Sequence, residues 1–332
     1  MSIRSAVRIY TTVSRWEFLP AVLVGVMIGI FLGAESFQYL FSRGFVLYLI
    51  EGILIFILLF NVGFMVNCWA DWQVDKLYKT RLYVAVKRMG RSTLGVLVII
   101  HIAAAVLLAS HLTMAIGRIE IIILVWIGTF LGVGYSVEPF RFKRRGVLHS
   151  IIALPIFFIP GVYSYFLVGD LPLDAPYTIM FLFSAAGITV GHYALILVSQ
   201  AEDYPDDKKM GLYTPPVVWG LRKTLYISVL SNLLGSSVVI ISLLLMFLTL
   251  NAWLMFLLPV IIAGRYLSMK DIYGLYRISF DKSSNSALLE EIRKKMPKYP
   301  IWHAYGLAGI TLSGLFILVF KSLGWIVPVL NL

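Results

Sequence analysis

Charge is scarce in this chain. Of its 332 residues only 14% are charged, against about 25% in a typical soluble domain. With 60% of residues hydrophobic, the chain cannot cover a water-facing surface, which excludes a soluble globular protein. A single cysteine, Cys68, excludes an internal disulfide. Histidines number five, and His101, His192 and His303 lie in or beside apolar runs without the mutual spacing of a metal site. The acids number only 17, and six of them fall in two short clusters: Asp71 with Asp75, and Glu202, Asp203, Asp206 and Asp207.

Long apolar runs are what the chain has in abundance. A helix needs roughly 20 residues to cross a hydrocarbon layer about 30 Å thick. Seven runs meet or approach that length: 18–35, 52–70, 92–117, 121–137, 146–169, 175–201 and 299–320. An eighth, 224–264, is twice as long and must fold back, most simply near Asn251, which brings the expected total to nine spans. The first run leads into further spans with no small-residue cleavage site after it, so no secretory signal peptide is expected.

With the N-terminus in the cytoplasm, the loops on that side are 1–17, 71–91, 136–145, 202–223 and 265–298. They hold 25 of the 28 Lys and Arg residues, leaving Arg43, Arg118 and Lys321 for the other side. This asymmetry is the positive-inside pattern of a multi-pass membrane protein. The net charge of +11 is therefore topology first. With no soluble module to present a basic face, nucleic acid is not an expected partner. Within 265–298, Leu288, Leu289, Ile292 and Met296 alternate with charged residues, and two readings stand equally: an amphipathic helix at the interface, or a solvated connector.

The acid clusters carry the chemistry. Residues four apart on a helix differ by about 40° around its axis, so Asn67, Asp71 and Asp75 line one face, as do Asp203 and Asp207. Both clusters close apolar spans on the same expected side. Equal spacing and a Thr-Leu pair 17 or 18 residues later (Thr93-Leu94, Thr224-Leu225) suggest a pseudo-repeat of spans 1–4 and 5–8. Carboxylates gathered at a membrane face repel one another unless cations neutralise them. All-oxygen ligands favour Mg²⁺, which bridges one or two carboxylates to substrate phosphates. Lys76, Lys79, Arg81, Arg141, Lys143 and Lys208 are close enough in sequence to grip the same phosphate oxygens. Pro205 is the local difficulty, because it can end the helix at Tyr204 and re-aim Asp206 and Asp207.

The runs that hold these residues resemble motifs of the UbiA superfamily of intramembrane prenyltransferases. Asn67-Cys68-Trp69-Ala70-Asp71-Trp72-Gln73-Val74-Asp75 is similar to its first aspartate-rich motif, NDxxDxxxD. Asp203-Tyr204-Pro205-Asp206-Asp207, with Gly211 beyond it, is similar to the second, DxxxD. Tyr135-Ser136-Val137-Glu138-Pro139-Phe140-Arg141-Phe142-Lys143 is similar to its YSxxPxRxK segment. The chain departs from the family at Cys68, where the first aspartate is expected. It also departs at Lys79-Thr80-Arg81-Leu82, in place of an arginine-proline-leucine stretch, and at Tyr213-Thr214, in place of lysine-threonine.

The resemblance implies an all-α polytopic bundle of about nine transmembrane helices, a single prenyltransferase domain over 1–332, with a central cavity open to the cytoplasm. In it Asp71, Asp75, Asp203 and Asp207 hold Mg²⁺ on a prenyl diphosphate donor. Asn67, Lys79, Arg81, Tyr135, Ser136, Arg141, Lys143 and Lys208 contact the substrate. The implied reaction transfers the isoprenyl group to a lipophilic acceptor, a quinone precursor or an archaeal-type glycerol lipid. A terpene cyclase of the same family would need no acceptor. A cation-coupled transporter is the alternative of another class, disfavoured because transporter sites lie near the midplane. Glu51, about 24 Å along the helix from Asn67, reads as structural. His192, two to three turns from Asp203, reads as a packing histidine rather than an acceptor contact.

The charge asymmetry gives a topology test. In a Cys68→Ser background, the thiol of Pro172→Cys is expected to react with an impermeant maleimide from the outer side of the cell membrane. Reaction from the cytoplasmic side alone overturns the nine-span arrangement.

Overall fold

The computed structural model describes residues 2–169, 176–281 and 284–326, and almost all of them are helical. Fourteen helices follow in order: α1 (Ile3–Val13), α2 (Leu19–Gly33), α3 (Phe37–Leu40), α4 (Phe45–Tyr78), α5 (Thr80–Met89), α6 (Arg91–Ile116), α7 (Ile119–Ser136), α8 (Val147–Val168), α9 (Pro176–Lys209), α10 (Pro215–Trp219), α11 (Leu221–Leu250), α12 (Leu258–Asp281), α13 (Asn285–Lys295) and α14 (Tyr299–Ser322). Among the described residues there is no strand, only an isolated bridge between Arg145 and Tyr213. In a hydrocarbon layer this is forced, since only a helix satisfies every backbone N–H and C=O within one segment.

Seven helical segments among the described residues are long and apolar enough to cross a membrane: Phe45–Gln73, Arg91–Ile116, Ile119–Ser136, Pro176–Lys209, Leu221–Leu250, Ala252–Phe280 and Ile301–Ser322. Two shorter apolar helices, Leu23–Gly33 and Phe158–Val168, lie within the runs expected at 18–35 and 146–169. The fold-back expected near Asn251 is there. Asn251 leaves the helical region (φ −172°, ψ 124°), and its Oδ1 accepts from Trp253 N at 3.4 Å. The loop probed at residue 172 and the final residues 327–332 lie outside the described residues.

Two compact units emerge. The first comprises Met1–Val22 and Arg43–Lys143, and its main helices are α1 and α4 to α7. The basic N-terminal stretch expected as a loop is in fact the amphipathic α1, whose Ile9, Thr12 and Val13 are buried. A directional hydrogen-bond chain anchors it. The Nδ1 of His101 donates to Leu97 O (2.7 Å), which leaves Nε2 to accept from Tyr10 Oη (2.8 Å). Tyr10 Oη accepts from Asn61 Nδ2 (2.9 Å), and Asn61 Oδ1 from Trp16 Nε1 (3.0 Å). Every donor in this chain has an acceptor, as a buried polar network requires. Glu51 is likewise structural, paired with His111 Nδ1 at 2.9 Å.

The second unit comprises Leu23–Ser42 and Arg144–Leu332. Its helices cross at glycines. A Cβ on Gly235 of α11 would stand 2.5 Å from Gly187 O and 2.9 Å from Gly191 Cα, both on α9. A Cβ on Gly264 of α12 would meet Tyr305 O at 2.6 Å, and one on Gly309 of α14 would meet Val260 O at 2.6 Å. Small residues let backbones approach where lipid supplies no hydrophobic drive for association.

The segment 265–298 differs from the expectation in two respects. Residues 265–281 continue α12, so Arg265, counted above as a loop cation, lies inside a span. The amphipathic helix exists as α13, but its Leu288, Leu289 and Ile292 are buried with Leu195, Val198, Ile272 and Trp302 rather than facing lipid. Asp271 of α12 fastens this corner, accepting from Lys295 Nζ (3.2 Å) and Trp302 Nε1 (2.9 Å).

The glycine crossings make a paired prediction. Gly235→Ala should destabilise the protein by about 1–3 kcal/mol, the usual cost of overpacking, visible as a lower melting temperature in detergent. Gly132→Ala, where a Cβ meets nothing within 4 Å, should leave it unchanged or raised.

Candidate active site

In the first unit the carboxylates sit at the end of α4. The apolar span stops at Gln73 while the helix continues to Tyr78, so Asp71 and Asp75 straddle its edge. Past the end of α7 the chain doubles back. Arg141 takes a positive φ of 35°, and its N bonds Val137 O at 2.8 Å. A Cβ on Gly134 would lie 3.0 Å from the Phe142 ring, so glycine leaves room for the returning segment. The Glu138–Pro139 peptide within it is cis.

This turn delivers two cations to one carboxylate. Arg141 Nη2 donates to Asp71 Oδ1 at 3.0 Å, and Lys143 Nζ pairs with Asp71 Oδ2. Lys143 Nζ also donates to Asn67 Oδ1 at 2.7 Å, and Ser136 Oγ donates to the same oxygen at 3.2 Å. Asn67, Asp71, Ser136, Arg141 and Lys143, drawn from two separate sequence motifs, thus form one cluster. Charge-assisted bonds of this kind fix side chains more firmly than neutral ones.

Asp75 is different. It is 6% exposed, and its Oδ2 is buried without a hydrogen-bond partner among the described residues. Burial pushes its carboxyl up to about 6, with Asp71 adding to the rise and Lys79, Lys143 and Arg15 opposing it. Of the other expected contacts, Lys79 is exposed at the end of α4. Arg81 points elsewhere: its side chain is 71% exposed and reaches Glu17 at 4.0 Å. Tyr135 adjoins Ser136 on the last turn of α7, partly buried.

One residue had no signal in the motif spacing. Arg15, in a left-handed turn (φ 49°) before α2, lies over Phe18 (4.7 Å) and Phe64 (5.5 Å), and its charge bears on Asp75. Only its place as the last cation before the first apolar run hints at a role. Cys68 is fully buried among Ile9, Val13, Val62 and Leu94, with its Sγ donating to Val13 O at 3.5 Å. One helical step from Asn67 turns it about 100° off the carboxylate face. An aspartate there would be a bare charge in an apolar core.

In the second unit α9 passes through Pro205 and stays helical to Lys209. Asp203 and Asp207 therefore keep their shared face, with Asp206 turned away from Asp207 by about 100°. All three are half-buried. Asp207 is held from beyond the helix: Thr214 Oγ1 donates to its Oδ2 at 2.8 Å. Lys208 is exposed, its Nζ 5.8 Å from the centre of the Tyr204 ring. Among the described residues no three His, Cys, Asp or Glu side chains converge as a metal-binding group. His192 packs in the core as expected, its Nδ1 2.9 Å from Ile188 O and its ring against His303.

The sequence profile described as the UbiA prenyltransferase family matches residues 19–282. No curated protein matches the chain in sequence. A UbiA homologue from Archaeoglobus fulgidus bound to GPP and Mg²⁺ superposes with a TM-score of 0.59 at 18% identity, over 91% of this chain and 99% of that one. The same homologue bound to DMAPP and Mg²⁺ gives 0.58 at 19% identity over the same shares. A structure of digeranylgeranylglyceryl phosphate synthase gives 0.61 at 15% identity, over 93% of this chain and 99% of that one.

The raised carboxyl of Asp75 predicts a pH-dependent stability. A folded-state value above the unfolded one favours the protonated native form, so that stabilisation is complete below the unfolded value near 3.8 and is lost as pH rises through about 6. In metal-free protein, Asp75→Asn should therefore melt higher than the parent at pH 8, with the gain shrinking as pH falls below 6. A pH-independent difference between the two overturns this.

Proposed function

Since the chain belongs to the UbiA prenyltransferase family, we propose that it is a Mg²⁺-dependent intramembrane enzyme that moves an isoprenyl group from a prenyl diphosphate to a lipophilic acceptor. The observation that carries this reading is the cluster at the end of α4. There Arg141 and Lys143 are clamped on Asp71 beside Asn67 and Ser136, with a buried carboxylate oxygen of Asp75 left open one turn away. Two preset cations at a water-poor edge suit an anionic, phosphate-bearing group.

The donor set fits Mg²⁺: it is all oxygen, with stacked carboxylates at equal spacing on α4 and α9 and one unsatisfied oxygen on Asp75. Asp71, Asp75, Asp203 and Asp207 are the proposed ligands. When bound, Mg²⁺ supplies charge neutralisation to the departing diphosphate. The chain's own groups do the rest. Arg141 and Lys143 exchange part of their hold on Asp71 for diphosphate oxygens, as Arg15 and Lys79 add positive charge beside Asp75; Lys208 is a further proposed substrate contact. Ser136 holds Asn67 in place. Thr214 fixes Asp207 through its Oδ2. Heterolysis of the allylic C–O bond leaves the electron pair on the diphosphate, and the acceptor's nucleophile then attacks the isoprenyl cation and gives up its proton to the released diphosphate or to water.

Solved UbiA structures that carry GPP or DMAPP with Mg²⁺ support this donor class. A quinone precursor or an archaeal-type glycerol lipid is the proposed acceptor class, the latter also supported by the fold shared with digeranylgeranylglyceryl phosphate synthase. The proposed orientation places the N-terminus and both acid motifs on the cytoplasmic side.

Purified protein incubated with prenyl diphosphates of several lengths and membrane lipid extract should release diphosphate and form a prenylated product detected by mass. Activity should vanish in chelator and return with Mg²⁺; full turnover in chelator excludes the mechanism. Product without extract identifies a cyclase instead. Asp203→Asn and Asp207→Asn should each lose on the order of 10²-fold or more, as for removal of a contact to a developing charge, and Asp206→Asn clearly less. Equal losses at all three would mean that the cluster wraps its ligand as a loop.

A further inference from the structure

Arg265 stands at the centre of the apolar span Ala252–Phe280, and only 3% of its surface is exposed. A lone guanidinium at that depth is expensive, and intramembrane cations normally face a partner or serve a ligand. Here the donors are only partly used. Nε donates to Ser236 Oγ at 2.9 Å, Nη1 reaches Gly306 O at 3.4 Å, and Nη2 is buried with no hydrogen-bond partner. Among the described residues no carboxylate pairs with it.

The neighbouring group repeats the pattern. Ser236 Oγ passes its hydrogen to Asn232 Oδ1 (3.2 Å) on the same α11, and Asn232, fully buried, has an Nδ2 without a partner. The open atoms of this chain are all donors. Glycines make the room the guanidinium itself fills: a Cβ on Gly191 of α9 would occupy the place of Arg265 Nη2, and one on Gly306 of α14 would stand 3.4 Å from Nη1. His192, next to Gly191, lies against His303 with ring centres 4.9 Å apart and planes tilted by 35°. Gly191 lies 12 residues before Asp203, about 18 Å along α9, so this group is separate from the acid motif.

Unpaired donors around one buried cation call for an acceptor that carries one negative charge. A doubly charged phosphate would leave an uncompensated charge in hydrocarbon. A carboxylate matches both the charge and the planar edge of the guanidinium. Access through lipid requires that the rest of the molecule be apolar. We propose that Arg265 and Asn232 form a second ligand site within α9, α11, α12 and α14, which binds the carboxylate of a lipophilic monoacid. The site stands independently of the prenyl-transfer reading.

Decanoate, with decanol as its neutral counterpart, tests it. Full-length delipidated protein in detergent is titrated calorimetrically, with protein-free micelles as blank. Decanoate should bind at least about tenfold more tightly than decanol, the effect of hydrogen bonds to a charged group. That preference should fall to about one in Arg265→Met and weaken severalfold in Asn232→Leu, which keeps size and removes the donor. Because hydrophobic replacement of a buried charge is often tolerated, Arg265→Met should melt no lower than the parent without ligand. Equal binding of acid and alcohol to the parent, no binding at all, or a preference unchanged in either folded variant overturns the proposal. None of these readouts involves a prenyl diphosphate, so failure here leaves the transferase reading untouched.

Discussion

In hydrocarbon, bringing two helices together releases no ordered water, and the usual force of folding is missing. What replaces it in this protein is closeness of backbone. Gly187, Gly191 and Gly235 bring α9 and α11 into direct contact, and Gly264 and Gly309 do so for α12 and α14. Polar seams add direction to these contacts, as where Ser228 Oγ donates to Ala194 O at 2.7 Å across α9 and α11. Outward faces keep large apolar side chains such as Ile99, Leu107 and Leu234 exposed, the opposite of what water would permit. The acid motif of α9 is carried by this frame, at the end of one of its closely packed helices.

Electrostatics then shapes those ends. Two carboxylates on one helical face are unfavourable where water is thin, and the protein treats them unequally. Asp71 is neutralised by Arg141 and Lys143, whereas Asp75 is buried with an oxygen unspent. The first is a settled ion pair, and the second is a stored cost that a cation would relieve. An apolar residue at Asp75 would make a more comfortable helix. A buried acid with an unpartnered oxygen is the kind of group that proteins place at functional sites.

Much of this was legible in the sequence because its causes are local. Apolar runs of the right length became helices, Asn251 broke the longest run, and the four-residue spacing of the aspartates survived because α4 and α9 remain helical across them. Pro205 could have ended α9, but the helix continues past it. Other features depend on distant parts of the chain. The partner that anchors Asp207 is Thr214, beyond a turn, and the acid that Arg81 meets is Glu17, on a segment read as a loop. Arg265 counted as a loop cation because charge ordinarily marks a span's end; only packing against Gly191 and Ser236 gives a guanidinium a place at mid-depth. Cys68 stands where the family has an aspartate, and its neighbours place it in the core behind the motif.

The hydrogen-bond chain from Trp16 through Asn61 and Tyr10 to His101 also bears on how the protein is made. Tyr10 and His101 are separated by 91 residues, so α1 leaves the ribosome long before its partner exists. Until α4 and α6 have been inserted, the buried stripe of Ile9, Thr12 and Val13 has only the bilayer surface to rest on. The hydrogen-bond chain that anchors α1 is therefore complete only once α6 has been made.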